Sequence, residues 1–290
     1  MSVSIDSRCL LCHFQKNVKT AQSLGTEAQA TEFAFGLMEI YRNAPRNVGA
    51  TWYGPQMEEL FQRIYGITGD RFREEKAQSN AFVLERLDAI RSKVRSAPDP
   101  VLAGLQVSIL GNYIDFSALN GEVSFVKLDE MLESALEMEL DMGVYGELCR
   151  ELESGRKLLY LTDNAGEIGF DRIFAEEIHR KYPHLQITFC VRGGPTQNDA
   201  TREDAAEVGI PFPVIDNGNL VAGTQLELLG DEAKKAMETA DLIIAKGQAN
   251  AETLLDSGYN IYYAFLVKCV RFIERFRKPK LTPMLLKERK

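Results

Sequence analysis

Histidine is scarce in this chain: three residues in 290, His13, His179 and His184. His179 and His184 flank the end of a helical stretch and read as surface residues. His13 sits beside two cysteines. No clustered histidines of the kind that hold catalytic zinc are therefore expected. Cysteine is sparse and odd in number, with five residues, Cys9, Cys12, Cys149, Cys190 and Cys269, which argues against a disulfide framework in so long a chain. No segment approaches the roughly 18 uninterrupted apolar residues of a membrane helix. The N-terminus, MSVSIDSRCLLCHF, lacks a basic stretch followed by a long apolar one. Membrane insertion and secretion are disfavoured, and a cytoplasmic protein is expected. The spacing G-x-x-x-x-G-K-[ST] is missing, which disfavours a nucleotide-hydrolysing motor. Basic residues are in deficit too. The formal net charge is -8, so nucleic acid is not an expected partner. The Lys and Arg residues that do cluster, from 271 to 290, read as a solvated tail.

What is present is ordinary globular composition, 45% hydrophobic and 26% charged, ample for a packed core. Up to residue 155 the pattern is helical. Residues 28–42 put Phe33, Leu37, Ile40 and Tyr41 on one face. Pro55 opens a helix over 55–65. A long charged helix is expected over 70–95, and another after Asp99-Pro100, with Asp99 as its cap. A further helix is expected over 129–141. The one strand-like run in this half is 123–126. After Gly155 short apolar runs alternate with helical stretches. The runs are 157–162, 186–191, 212–215, 241–245 and 261–267. The helices fall near 169–181, 199–208, 232–238 and 251–256. Such alternation implies a parallel sheet covered on both faces. The expected fold is α/β: a three-layer αβα, Rossmann-like, mostly parallel sheet over 156–290, preceded by a helical domain or cap over 1–155. Cys149 falls in a helical pattern and Cys190 and Cys269 in apolar runs; all three read as small core residues.

Each strand run ends in polar residues. The first ends in Thr162-Asp163-Asn164-Ala165-Gly166-Glu167. The second ends in Arg192-Gly193-Gly194-Pro195, with Asn198-Asp199 following. The third ends in Asp216-Asn217-Gly218-Asn219, the fourth in Lys246-Gly247-Gln248-Ala249-Asn250 and the fifth in Lys268. Open α/β sheets bind ligands outside the carboxyl ends of their strands, and parallel strands put those ends on one edge. A lone Asp163 could serve equally as a helix cap. Five strand ends all carrying Asp, Asn, Arg or Lys are harder to explain as caps.

Residue type sets the chemistry. Asp163, Asn164 and Asp199 supply hard oxygen ligands for a divalent cation such as Mg2+ or Mn2+; Co2+ and Ni2+ accept the same set. Arg192, Lys246 and Lys268 bring positive charge to the same edge. The two lysines follow apolar runs, so their ammonium groups are expected to project from buried strands into the site. A metal with nearby Lys and Arg suits a bound phosphate and the charge of phosphoryl transfer. The expected ligand is a small phosphorylated metabolite.

The same loops resemble the damage-control phosphatase family, once catalogued as a domain of unknown function. The resemblance lies in Asp163-Asn164-Ala165-Gly166-Glu167 with Phe170-Asp171, in Arg192-Gly193-Gly194-Pro195 with Asn198-Asp199-Ala200-Thr201, and in Lys246-Gly247-Gln248-Ala249-Asn250 with Glu252. Cys9-Leu10-Leu11-Cys12 and Gly111-Asn112-Tyr113-Ile114-Asp115-Phe116 match its stand-alone prokaryotic branch. The resemblance covers nearly the whole chain. It implies a metal on Asp163, Asn164 and Asp199, and catalytic work shared between these three and Lys246. It implies substrate contacts from Lys246, Asn250 and Lys268, with Asn112 reaching in from the helical part. Arg192 and Asn217, at the ends of the second and third strands, complete the expected substrate-binding set. Members look like phosphatases that remove phosphate from harmful or damaged phosphometabolites, including sugar phosphates. Gly194 fills the single position that the family has between Arg-Gly and Pro, and so small a residue there implies a wider pocket.

Two rivals stand beside this reading: a methyltransferase with a nucleoside cofactor in the same crevice, and a non-catalytic metal- or phosphate-binding protein. Nothing in these residues favours methyl transfer. The Cys9–Cys12 pair, with His13, is open to structural, metal-binding or redox readings; one CxxC supplies two of the four ligands of a closed zinc site. For the reaction itself, direct attack of water on phosphorus is expected, with Asp163 as nucleophile the alternative.

Overall fold

The computed structural model describes residues 5–46, 48–115 and 123–288. Phe116 of the middle motif and the basic residues 289 and 290 lie outside these. Helices come first: α1 (Ser7–Leu24), α2 (Glu27–Asn43), α3 (Gly54–Tyr65), α4 (Arg73–Arg95), α5 (Pro100–Gly111), α6 (Phe125–Glu133) and α7 (Met142–Ser154). Strands and helices then alternate as β1 (Lys157–Leu161), α8 (Glu167–Lys181), β2 (Gln186–Val191), α9 (Arg202–Glu207), β3 (Val214–Asp216) and α10 (Asp231–Thr239). They continue as β4 (Leu242–Lys246), α11 (Gly247–Leu254), β5 (Ile261–Leu266), α12 (Val270–Phe276) and β6 (Pro283–Lys287).

Local chemistry explains the helix starts. Thr26 and Gln29 close a capping box at α2. Asp99 accepts the N–H groups of Val101 and Leu102, and Pro100 occupies the first turn of α5. Three expectations need correction. Residues 123–126 are not a strand: Ser124 caps α6 by accepting from Lys127 N–H. The helix expected over 129–141 stops at Glu133 and gives way to a 3-10 turn, Ala135–Glu137. There Gln106 Nε2 donates to the carbonyls of Leu136 (3.2 Å) and Met138 (2.8 Å), which takes this backbone out of a helical ladder. The basic C-terminal segment is not a solvated tail, since it folds into α12 and β6. Met284 and Leu285 are buried in β6, and Lys287 pairs with Glu151 while its ammonium stands 4.9 Å over the Tyr262 ring.

The sheet has the order β3-β2-β1-β4-β5-β6. β1 to β5 are mutually parallel and β6 runs antiparallel on β5. This is the doubly wound strand order, in which the order of strand addition reverses between β1 and β4, where ligands bind such sheets. Alternate residues of β1 face opposite layers. Leu158 and Tyr160 join the core formed with α4 to α8, whereas Leu159 and Leu161 join the core formed with α10, α11 and α12. One apolar core thus runs across residue 155. Helices α1 to α3 build their own around Phe33, Leu37, Leu60 and Phe61. Helix α5 is apolar on nearly every side and is buried against α8. Its end at Gly111 delivers Asn112 to the carboxyl edge of the sheet.

Candidate active site

Asp163 and Asn164 lie in the turn between β1 and α8, and Asp199 lies in the segment between β2 and α9. An isolated bridge pairs Asn164 with Asp199, and Ala200 N–H donates to the Asp163 carbonyl at 2.8 Å. The backbone itself therefore brings the three expected metal ligands together. Arg192, at the end of β2, is fully buried; its Nε donates to Asp199 Oδ2 at 2.5 Å and its Nη2 lies 3.9 Å from Asp163 Oδ1.

A second layer of contacts holds Asp163. Asn112 Nδ2 donates to Asp163 Oδ2 (3.0 Å) and to Glu167 Oε2 (2.9 Å). Asn164 Nδ2 reaches the same two oxygens at 2.8 and 2.7 Å. Asn198 Nδ2 donates to Asn164 Oδ1 at 2.8 Å, and Asn198 Oδ1 is buried without a donor. Asn250 donates to the Thr162 carbonyl at 3.0 Å and to the Lys246 carbonyl at 2.7 Å, so it braces the loop from beneath. Asn217 accepts from Gly193 N–H at 2.8 Å and shapes the Arg192 loop. Lys268 donates to Asp115 at 2.7 Å.

Lys246 differs from the expectation. Its ammonium is fully buried and donates to Glu167 (2.7 Å), Asp171 (2.8 Å) and the Ser108 carbonyl (2.8 Å). Those three acceptors use all its donors, so it carries charge under the site and does not project into it. Gly247 to Asn250 also form the first turn of α11, directly after β4, where a loop was expected. Glu167 and Asp171 are the residues that the sequence reading left without a role. Both sit one turn apart on α8 and are fully buried. The signal was available in the quoted motif, but a carboxylate in a first helical turn reads as a cap.

Electrostatics follow from this crowding. Burial pushes the Asp163 carboxyl well above the usual carboxylate range, and the charges of Glu167 and Asp199 push it further. Burial likewise raises Asp199, against the pull of Arg192. Asp171 is pushed up to about 6 by burial, with Lys246 opposing. For Lys246, burial alone would lower the ammonium; Asp171 and Glu167 overcome that and hold it above its ordinary value. Setting aside the Lys268–Asp115 pair, four buried carboxylates, Asp163, Glu167, Asp171 and Asp199, face two cations, Arg192 and Lys246, both already engaged, which leaves negative charge in excess. That excess, the hard-oxygen donor set and the partnerless Asn198 oxygen fit a divalent cation at Asp163, Asn164 and Asp199. Among the described residues no group of three or more His, Cys, Asp or Glu side chains is placed to hold a metal; the candidate set relies on an amide as its third ligand.

The cysteines are free thiols. Cys190 is buried, whereas Cys149 and Cys269 are half-buried. Cys9 lies in the first turns of α1, where its Sγ is 3.4 Å from Arg271 Nη1, and Cys12 is exposed. His179 and His184 are exposed, as expected.

Residues 5–280 match the damage-control phosphatase ARMT1-like domain, and the chain belongs to that family. Among its relatives, a damage-control phosphatase of Archaeoglobus fulgidus is 38% identical over 239 residues, 80% of this chain and 80% of that protein. One of Pyrococcus horikoshii is 34% identical over 76% of each chain. An uncharacterised protein of Methanocaldococcus jannaschii is 32% identical over 92% of this chain and 90% of its own. The crystal structure of a DUF89 family protein from Pyrococcus horikoshii superposes with a TM-score of 0.84 at 28% identity, covering 99% of both chains. The family supports a phosphatase role for the chain.

Proposed function

We propose that the chain is a cytoplasmic metal-dependent phosphatase that hydrolyses phosphate monoesters of small metabolites, sugar phosphates or damaged phosphometabolites among them. One observation carries this reading: Asp163, Asn164 and Asp199 converge beside Arg192 at the carboxyl edge of β1 and β2. Asp163, Asn164 and Asp199 would hold the cation, Mg2+ or Mn2+, with Co2+ or Ni2+ as substitutes. When bound, the cation supplies positive charge to the phosphoryl oxygens and favours deprotonation of water.

The chain's own groups do the rest. Asn112 and Asn164 fix the Asp163 carboxylate by its Oδ2. Arg192 holds Asp199 in register and places a guanidinium next to the developing charge. Lys268, just after β5, adds a second cation whose charge acts on Asp163 and whose ammonium is held by Asp115. Lys246 pairs with Glu167 and Asp171, and Glu167 Oε2 in turn accepts from both the Asn112 and the Asn164 amide.

Turnover of p-nitrophenyl phosphate tests the reading. Activity should require added divalent metal, disappear with a chelator, and be lost in Asp163→Ala while the fold persists. Turnover that survives thorough chelation, or in Asp163→Ala, would overturn it.

A further inference from the structure

Away from the carboxylates, a cleft of about 790 Å³ opens between α1 and the turn from α3 into α4. Its walls mix apolar side chains, Leu24, Ile67 and Phe72 among them, with charged ones. Lys16 and Lys19 come from α1, and Arg71 and Glu75 from the opposite side. Arg71 is a fixed wall, held by Glu58 at 2.7 and 2.6 Å and lying 3.9 Å over the Phe61 ring. Basic side chains outnumber the acidic one.

Two features tie this cleft to the active site. Asp115, which accepts from Lys268 at 2.7 Å, is also the strongest opposite charge felt by Lys16. Helix α4 provides the second tie. Phe72 and Glu75 line the cleft at its start, and Asn80, further along, accepts the Gly166 N–H at 2.7 Å in the turn that carries Asp163 and Asn164. Burial pulls the Lys16 ammonium down to about 8, with Asp115 pulling the other way. An anion placed here would meet a half-buried cation, where a charge-assisted hydrogen bond is stronger than in open water.

We propose that this cleft receives a second anionic group of the substrate, so that the enzyme's esters carry a phosphate or carboxylate remote from the phosphate that is cleaved. The inference rests on the phosphatase reading and narrows its substrate class. It gives the N-terminal helices a part in recognition: the sheet edge cleaves one end while α1 holds the other.

Non-hydrolysable alkane-α,ω-diphosphonates of increasing length, compared by calorimetry with alkylphosphonates of the same length in Mg2+, test it without turnover. At one spacer length the diphosphonate should bind at least tenfold more tightly. That advantage should fall severalfold in Lys16→Met and in Lys19→Met, two variants that fail independently if either misfolds. Equal affinity of mono- and diphosphonates at every length, or an advantage retained in both variants, would overturn the proposal. Loss of p-nitrophenyl phosphate turnover under all metals, with the diphosphonate advantage intact, would sink the phosphatase reading and leave the anion cleft standing.

Discussion

The carboxylate of Asp163 lies across the α-carbon of Gly247, so closely that a Cβ there would overlap Oδ2. Gly247 also has φ 76°, a conformation that costs other residues about 1–2 kcal/mol. Gly247→Ala should therefore cut turnover by at least roughly 100-fold, because the misplaced group is the central carboxylate of the site. Gly258→Ala is the control. Its φ is 82° but nothing lies within 4 Å of the added methyl, so it should lose some stability and no activity. Steady-state kinetics of both variants decide the point.

Lys246 shares one buried network with Glu167 and Asp171. Lys246→Met should destabilise the fold by about 3–5 kcal/mol, because it leaves two carboxylates unbalanced in the interior. Adding Asp171→Asn to that variant should recover part of the loss. Urea unfolding midpoints measure both; a Lys246→Met protein as stable as the parent would contradict the network's role.

The buried Lys268 ammonium pairs with Asp115 at 2.7 Å. Lys268→Met should raise KM for phosphate esters by roughly tenfold or more, the value of a hydrogen bond to a charged group, with a smaller effect on kcat. Asp115→Asn keeps the ammonium and should cost less. The reverse order of effects in a kcat and KM comparison would exclude direct phosphate contact by Lys268.

Acid should loosen helix α1. Burial, and then the charge of Lys16, pull the His13 imidazole from 6.5 to about 4, and its Nδ1 is 3.0 Å from Tyr41 OH. The folded state favours the neutral ring, so between these values the unfolded chain binds more protons. His13's contribution is intact above pH 6.5 and is lost as pH falls toward 4, by no more than about 3 kcal/mol given its partial exposure. The melting temperature of His13→Gln should fall less steeply over this range than the parent's.

The five parallel strands were legible because each is an apolar run bounded by polar strand ends, and burial on both faces leaves no other composition. β6 was not. Pro283-Met284-Leu285-Leu286-Lys287 is short, and its flanking charges mimic a tail; only pairing with β5 decides its state. Helix α1 escaped notice because its buried residues are few, Asn17 and Ala21. At the site, Asp163, Asn164, Asp199 and Arg192 follow from their places at strand ends. Asn112 and Asp115 come from the helical half, and only the burial of α5 against α8 brings them there. The role of Lys246 could not be read, since it depends on Glu167 and Asp171 lying beneath it on another element.

Leu158 of β1 pairs in register with Leu242 of β4, although β2, β3 and three helices intervene along the chain. Closing so long a loop costs entropy before the pairing returns anything, and such contacts form slowly. A folding intermediate with β1, β2 and β3 joined would already gather Asp163, Arg192 and Asp199. It would still lack the floor at Gly247 and the counter-charge at Lys246. Hydrolysis should then appear only in the slowest refolding phase, after most of the helical signal has returned. On that order of events catalysis would serve as a clock for the last chain crossing, since a half-formed molecule would lack the complete site.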